Sequence, residues 1–421
     1  MNIAVNAQFL VEDKLEGLGW FTYETLKRFI KQHPEHKFYL IFSTKNHSKF
    51  LFAPNVIPVV LGPRYNHPLL WLYKFEIALP FILKKIKADL FFSPTGICSW
   101  LYPIPTVTVI HDINFVHFPK HLPLIYRLYY NFFFPRWAKK AVRLATVSEF
   151  SKQDIVKEYN INPNKIDVVY NGANENLSPV EDDRKISIRK KFTKGNPYFV
   201  FVGATPPRKN LINLFKAFDI FKATDYRNFK LVLVGAKKWW NDSIRQTYES
   251  MEYKNDVIFT GRVSTADLNE LVAAAEAMTY VSLFEGFGIP LLEAMWCETA
   301  IITSDCTSMP EVARDAAIYV DPDSPQSIAG GMKKIANDAS LREQLIEKGR
   351  TRRNDFSWNK SADRMWQCLE KYQEIKFPAI CADSEAILYL IEANSPKTNF
   401  LSCSFIFPSI RTVSTSCPQR L

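Results

Sequence analysis

Two carboxylates stand eight residues apart in Phe284-Glu285-Gly286-Phe287-Gly288-Ile289-Pro290-Leu291-Leu292-Glu293. An apolar run ends at residues 281–283, a glycine-rich loop follows, and Pro290 suits the first turn of a helix. Gly286, Phe287 and Gly288 can then offer bare amides and a helix N-terminus to an anion. Glu285 before the helix and Glu293 about one turn inside it can face one ligand. Glu293 would serve as the acceptor that a pair of hydroxyls, such as those of a ribose, requires. Arg208 and Lys209 lie between an apolar run and a helical one. Two cations at a helix start oppose the macrodipole, so neutralising a diphosphate explains them better than helix stability does. His111 ends another apolar run and precedes Asp112, which gives a strand-end imidazole with a carboxylate beside it. Gly17-Leu18-Gly19 reads as a loop ahead of a helix over 20–31, where substrate could approach bare backbone.

Short apolar runs alternating with longer amphipathic ones must position these groups, the pattern of βαβ units and a parallel sheet. Strands are expected at 3–5, 38–42, 56–61, 90–92, 107–110 and 144–147. A second series, at 198–202, 230–234, 257–259, 277–281, 300–303 and 318–320, restarts after a polar stretch at 178–194. Helices are expected at 210–222 and 265–275, the latter capped by Ser264 or Thr265, and again at 326–338, 341–350 and 357–373. The fold class is therefore α/β, two tandem Rossmann-like doubly wound domains facing a central cleft. In such sheets ligands sit beyond the carboxyl ends of the strands. The expected divisions are 1–176 for a first Rossmann-like domain, 177–356 for a second, 357–373 for a helix returning toward the first, and 374–421 for an unassigned tail.

The chain has 421 residues, 47% hydrophobic and 23% charged, which excludes a disordered or collagen-like protein. Its net charge of +10 is uneven: residues 1–178 hold 21 Lys and Arg against 13 Asp and Glu. Many of those cations lie among aromatics, in 69–87 and 126–143. Seven cysteines at irregular spacing, with no Cys-x-x-Cys pair, indicate neither a disulfide framework nor structural zinc. The N-terminus lacks the basic flank and apolar run of a signal peptide, and the apolar stretch at 69–83 is interrupted by Lys74, Glu76 and Pro80. A cytoplasmic protein that rests on a membrane surface is expected.

The Glu-x7-Glu segment, in its Gly-Phe-Gly-Ile-Pro-Leu-Leu-Glu-Ala-Met setting, resembles the family-4 retaining glycosyltransferases of GT-B fold. Val109-Ile-His111-Asp112 is similar to the family's first-domain active-site pair. Gly203-Ala-Thr-Pro-Pro-Arg208-Lys209-Asn210 resembles its basic donor-phosphate loop, and Gly17-Leu18-Gly19 its glycine loop. Thr146-Val-Ser148, Asn171-Gly172, Gly261-Arg262 and Ser308-Met-Pro310-Glu311 follow in the family's order. The resemblance covers about residues 1–373. Two departures stand out. Glu298 replaces a small glycine, and Ala204 occupies a position that carries Arg in some branches.

The resemblance implies a retaining transfer of a hexosyl group, such as mannosyl, from a nucleotide-diphosphate sugar bound by 177–356 to a glycan or lipid-linked hydroxyl on the acceptor side, 1–176, in cell-envelope polysaccharide synthesis. His111 and Glu285 would be the catalytic pair, the latter holding the donor sugar's hydroxyls. Arg208, Lys209, Gly286, Phe287, Gly288 and Glu293 would bind the donor, and Gly17 and Gly19 would form a substrate loop. No cofactor and no metal are expected, since the cations with helix amides would carry the leaving diphosphate. A GT-B-like sugar-nucleotide epimerase is the alternative enzyme. Nucleic-acid binding is not expected, because no module for it is evident. An anionic membrane surface is the partner that the basic, aromatic first half suggests.

Overall fold

The computed structural model describes residues 1–12, 15, 17–45, 47–62, 67–174, 176–236 and 240–372. The expectation for the tail, 374–421, lies outside the described residues. Two parallel sheets are formed. The first contains β1 (Asn2–Asn6), β2 (Lys37–Phe42), β3 (Val56–Val60), β4 (Leu90–Ser93), β5 (Thr106–Val109), β6 (Arg143–Thr146) and β7 (Ile166–Val168), in the order β3-β2-β1-β4-β5-β6-β7. The second contains β8 (Tyr198–Val202), β9 (Lys230–Val234), β10 (Val257–Gly261), β11 (Ala277–Tyr280), β12 (Ala300–Ser304) and β13 (Ile318–Val320), in the order β10-β9-β8-β11-β12-β13. Near-continuous runs such as Tyr-Phe-Val-Phe-Val in β8 are buried on both faces, as helix-covered parallel strands require.

The crossover helices of the first half are α1 (Gly17–Gln32), α2 (Pro68–Tyr73), α3 (Leu79–Lys85), α4 (Asn114–His117), α5 (Leu124–Lys140) and α6 (Glu149–Tyr159). Those of the second are α7 (Asp182–Thr193), α8 (Leu211–Lys222), α9 (Asp242–Glu249), α10 (Thr265–Ala273), α11 (Ile289–Trp296), α12 (Met309–Ala313), α13 (Pro325–Asn337), α14 (Ala339–Arg352) and α15 (Trp358–Glu370). Each order reverses beside the sheet's first strand, β1 or β8, placing a switch point and its crevice at the strand ends that carry the candidate residues. Helix α15 lies on the first half: Trp366 stacks on His33 with ring centroids 3.7 Å apart, and the Ser361 hydroxyl donates to the Tyr170 carbonyl.

Two expectations are corrected. Gly17 and Gly19 are in the first turn of α1 rather than in a loop ahead of it. Gly19 must be bare there because a Cβ would stand 3.0 Å from the Phe9 carbonyl oxygen and 3.1 Å from the Leu15 side chain, so that glycine serves close packing of the helix against the loop after β1. Strand β7 was not expected at all. Its centre is Asp167, a poor strand former, which is held by Arg143 at 2.5 Å and Lys371 at 2.7 Å.

Candidate functional site

The loop between β8 and α8 is clipped onto the end of β11. The Leu283 amide donates to the Arg208 carbonyl (2.8 Å), and the Asn210 side chain donates to the carbonyls of Val281 (3.0 Å) and Pro322 (2.6 Å). A 3₁₀ turn over Pro207–Lys209 then aims both cations at Glu285. Arg208 lies 2.9 Å and Lys209 2.5 Å from that carboxylate, and Arg208 also donates to the Phe284 carbonyl. Lys209 and Glu285 are both buried, and Lys209 covers the Tyr280 ring while donating to its hydroxyl. Burial works to raise the Glu285 carboxyl, but Arg208 and Lys209 outweigh it and hold it at about 2. Burial pushes Lys209 down to about 8, against the pull of Glu285. Arg208 is raised despite its burial, by Glu285 and by Asp112 across the cleft.

The glycine loop is braced from below by Ser308, whose hydroxyl donates to the carbonyls of Glu285 (2.9 Å) and Phe287 (3.0 Å). Gly288 has φ +99°, the left-handed conformation that starts α11 with Pro290 in its first turn. Five positions into that helix region, the Glu293 carboxylate has no hydrogen bond or ion pair among the described residues, and burial pushes its carboxyl up to about 7. A desolvated acceptor with nothing to accept suits a ligand bearing hydroxyls.

The first half meets this loop directly. The His111 ring nitrogen Nε2 lies 3.0 Å from the Pro94 carbonyl, and its ring packs edge-on against Phe21 of α1, with centroids 4.8 Å apart. Burial lowers its pKa, so the ring is neutral, Nε2 donates to Pro94, and Nδ1 is left as an acceptor. Asp112 accepts from the Asn114 amide at 3.0 Å and so starts α4. Ser148, the N-cap of α6, accepts from the Ser151 amide and donates to the Gly286 carbonyl at 2.6 Å. Glu311 reaches across from α12 and accepts from the amides of Glu149 (2.7 Å) and Phe150 (2.9 Å), the first two residues of α6.

The structure thus gathers Arg208, Lys209 and Glu285 into one cluster and sets His111 beside Gly286. Gly17 is exposed, with open space where a Cβ would be. Sequence reasoning missed Tyr280, whose signal was its place at the end of a strand before the Gly-rich loop, and the bridging role of Glu311. It also did not show that Glu285 would neutralise the very cations assigned to a diphosphate. Among the described residues, no group of three or more His, Cys, Asp or Glu could hold a metal ion, and no helix is long and apolar enough to cross a membrane.

Two family models match the chain, glycosyltransferase family 4 over residues 15–177 and glycosyl transferases group 1 over residues 182–352. The O-antigen chain mannosyltransferase RfbU of Salmonella typhimurium is 31% identical over 289 residues, 67% of this chain and 75% of that protein. The O-antigen chain mannosyltransferase B of Escherichia coli is 29% identical over 253 residues, 60% of this chain and 66% of that protein. Among solved structures, sucrose-phosphate synthase from Thermosynechococcus elongatus superposes with a TM-score of 0.72 at 17% identity, covering 89% of this chain and 99% of that one. Anabaena HepE in complex with UDP-glucose gives 0.68 at 17% identity, covering 89% and 100%. At that identity the likeness speaks for the GT-B fold alone. With both halves matched and their strand-end groups meeting in one cleft, the chain belongs to the family-4 glycosyltransferases of glycosyl transferases group 1.

Proposed function

We propose that this glycosyltransferase moves a hexosyl group, mannosyl in the first instance, from a nucleotide-diphosphate sugar to a glycan hydroxyl in cell-envelope polysaccharide synthesis, with retention of configuration. The observation that carries this reading is the buried cluster of Arg208 and Lys209 on Glu285. Two cations against one carboxylate leave a positive charge at the start of α8, aimed in advance by Glu285. Such preorganised charge stabilises a leaving diphosphate where water is excluded. Gly286, Phe287 and Gly288 lead into α11 beside it, and the unpartnered Glu293 accepts from the ribose hydroxyls. Glu285, through its cations, and His111, through its free Nδ1, flank the reacting sugar. Gly17 is exposed at the start of α1, the helix whose Phe21 packs on His111, and offers bare backbone where acceptor can approach. The mannosyltransferase names of the two relatives support the sugar.

We read the reaction as needing no cofactor and no metal. The acceptor is lipid-linked, and the chain rests on the anionic inner face of the cytoplasmic membrane; the excess of cations in residues 1–178 supports this placement. A panel of nucleotide-diphosphate sugars tests the proposal by thermal shift. A donor at a hundred times its Kd should stabilise the fold by about 2.7 kcal/mol. Lys209→Ala should fold and lose roughly a hundredfold in turnover, as loss of one transition-state donor does. Wild-type turnover in the folded variant would sink the assignment, and an isomerised donor without transfer would identify an epimerase instead.

A further inference from the structure

Helix α5 has two apolar faces. One, with Tyr129, Phe134, Trp137 and Ala138, is buried in the first half's core. The other carries Leu124, Leu128 and Phe132 at a spacing of four and turns them outward, with Leu128 60% exposed. The helical run formed by α2, the π-turn Lys74–Ala78 and α3 repeats the arrangement with Leu69, Tyr73, Ile77 and Phe81, where Leu69 is 64% and Phe81 72% exposed. Of the fifteen large hydrophobic side chains exposed among the described residues, eleven fall between Leu69 and Phe132. Soluble surfaces seldom gather apolar area in this way without a use for it.

The two runs meet through Trp71, which packs on Tyr126, Tyr129 and Tyr130 at centroid separations of 5.8–6.2 Å. Between them lies a groove of about 560 Å³, walled by Leu69, Leu72, Ile125, Leu128, Phe132 and Phe133, with Asn131 and Arg136 as its polar lining. Arg136 lies over the Phe132 ring at 3.5 Å, its stem along the apolar wall. Lys84, Lys85, Arg127 and Lys139 stand exposed on the same two runs. Their one acid, Glu76, is consumed by the amides of Trp100 (2.7 Å) and Leu101 (2.9 Å). The surface is therefore hydrocarbon with uncompensated positive charge, the complement of a lipid chain that carries an anionic head. It is also close to the chemistry: α4, which begins just after Asp112, packs Phe115 against Tyr130 and Phe134 of α5.

We infer that the groove between α2 and α5 seats the hydrocarbon chain of the acceptor, a membrane lipid bearing a phosphate or diphosphate head. This rests on the reading that the acceptor is lipid-linked. The test uses a diazirine-bearing long-chain prenyl phosphate in the absence of a bilayer, with the full chain and with Leu128→Glu and Leu69→Glu, both at exposed positions that the core does not use. Crosslinks are expected in 68–85 and 124–140 and should fall at least tenfold in the variants. The KM for a lipid-linked acceptor should rise at least tenfold, while donor binding and transfer to a lipid-free sugar acceptor stay unchanged. Crosslinks elsewhere, or undiminished in the variants, would overturn the assignment. So would variants that lose sedimentation with anionic vesicles but keep full labelling, which would make the face a bilayer rest only. A wild-type protein that uses lipid-free and lipid-linked acceptors equally and takes no label would defeat the lipid-linked reading itself. A lipid preference unaffected by the substitutions would defeat the groove alone.

Discussion

Gly286 lies flush against His111: a Cβ on the glycine would stand 2.5 Å from the His111 carbonyl oxygen and 2.9 Å from the Asp112 Cβ. The donor-side loop and the strand end of the first half therefore touch backbone to backbone. Ser148 and Ser151 fasten the contact by donating to the Gly286 carbonyl at 2.6 and 3.2 Å.

Gly286→Ala should force this seam apart by close to an ångström, since the obstacle is backbone and cannot swing away. A misplacement of that size costs roughly a hundredfold in rate, and overpacking about 1–3 kcal/mol in stability. Steady-state kcat/KM and a denaturant midpoint check both. An alanine variant with full kcat/KM would mean that the seam does not set the reacting geometry.

Glu311 caps a helix of the other half, so its loss should loosen closure as well as α6. Glu311→Ala is expected to lose about 1 kcal/mol, the usual worth of such a cap. It should also give a larger radius of gyration by small-angle scattering with donor present, and Glu311→Gln, which keeps one acceptor, should recover part of both. Identical scattering for wild type and Glu311→Ala would contradict the bridging role.

Glu293 gives a pH signature. Its carboxyl is pushed by burial from 4.5 to about 7, so near neutrality a proton must leave before the group can accept from two hydroxyls. Donor affinity should rise with pH through about 7 and level off above it, and it should be flat in Glu293→Gln. Stability should run the other way. Between about pH 4.5 and 7 the native state holds a proton that the unfolded chain has lost, so stability falls as pH rises, and this slope should vanish in Glu293→Gln. Calorimetric titration and denaturation across pH 5–8 read the two effects separately.

Glu298 sits at φ +54°, where a glycine would be unstrained, and is held by Arg350 at 2.7 Å and Arg353 at 3.5 Å. Replacing it with glycine should relieve about 1 kcal/mol of backbone strain and forfeit a partly exposed ion pair of similar worth, leaving stability within about 1 kcal/mol of wild type. Glu298→Ala keeps the strain and loses the pair, so it should be the less stable of the two by urea denaturation. Equal destabilisation in both would show that the positive φ costs little.

The alternation of apolar runs and amphipathic stretches was enough to read every strand of the two sheets but one. It failed at β7, where Asp167 interrupts the pattern and is tolerated only because Arg143 and Lys371 neutralise it from β6 and the residue after α15. Gly17 and Gly19 looked like a loop because glycine is a poor helix former, but Gly19 is required by the close approach of Phe9. The leucines of α5 were legible as apolar content. Which of them the core would leave outside was not, since an all-round apolar helix has no preferred face until its neighbours are placed.

By itself, the sequence determined the α/β architecture, the strand ends at which chemistry could sit, and the residue types there, because local periodicity and loop composition are properties of contiguous chain. Only the tertiary structure decided the partners. Glu285 lies on Arg208 and Lys209 from 76 or more residues away, Glu311 caps a helix 162 residues earlier, and Gly286 abuts His111. Such pairings depend on how two separately folded sheets are set against each other, and the charge each group carries follows from that placement: the same side chain type is held at about 2 at Glu285 and pushed to about 7 at Glu293 because one is buried with cations and the other without.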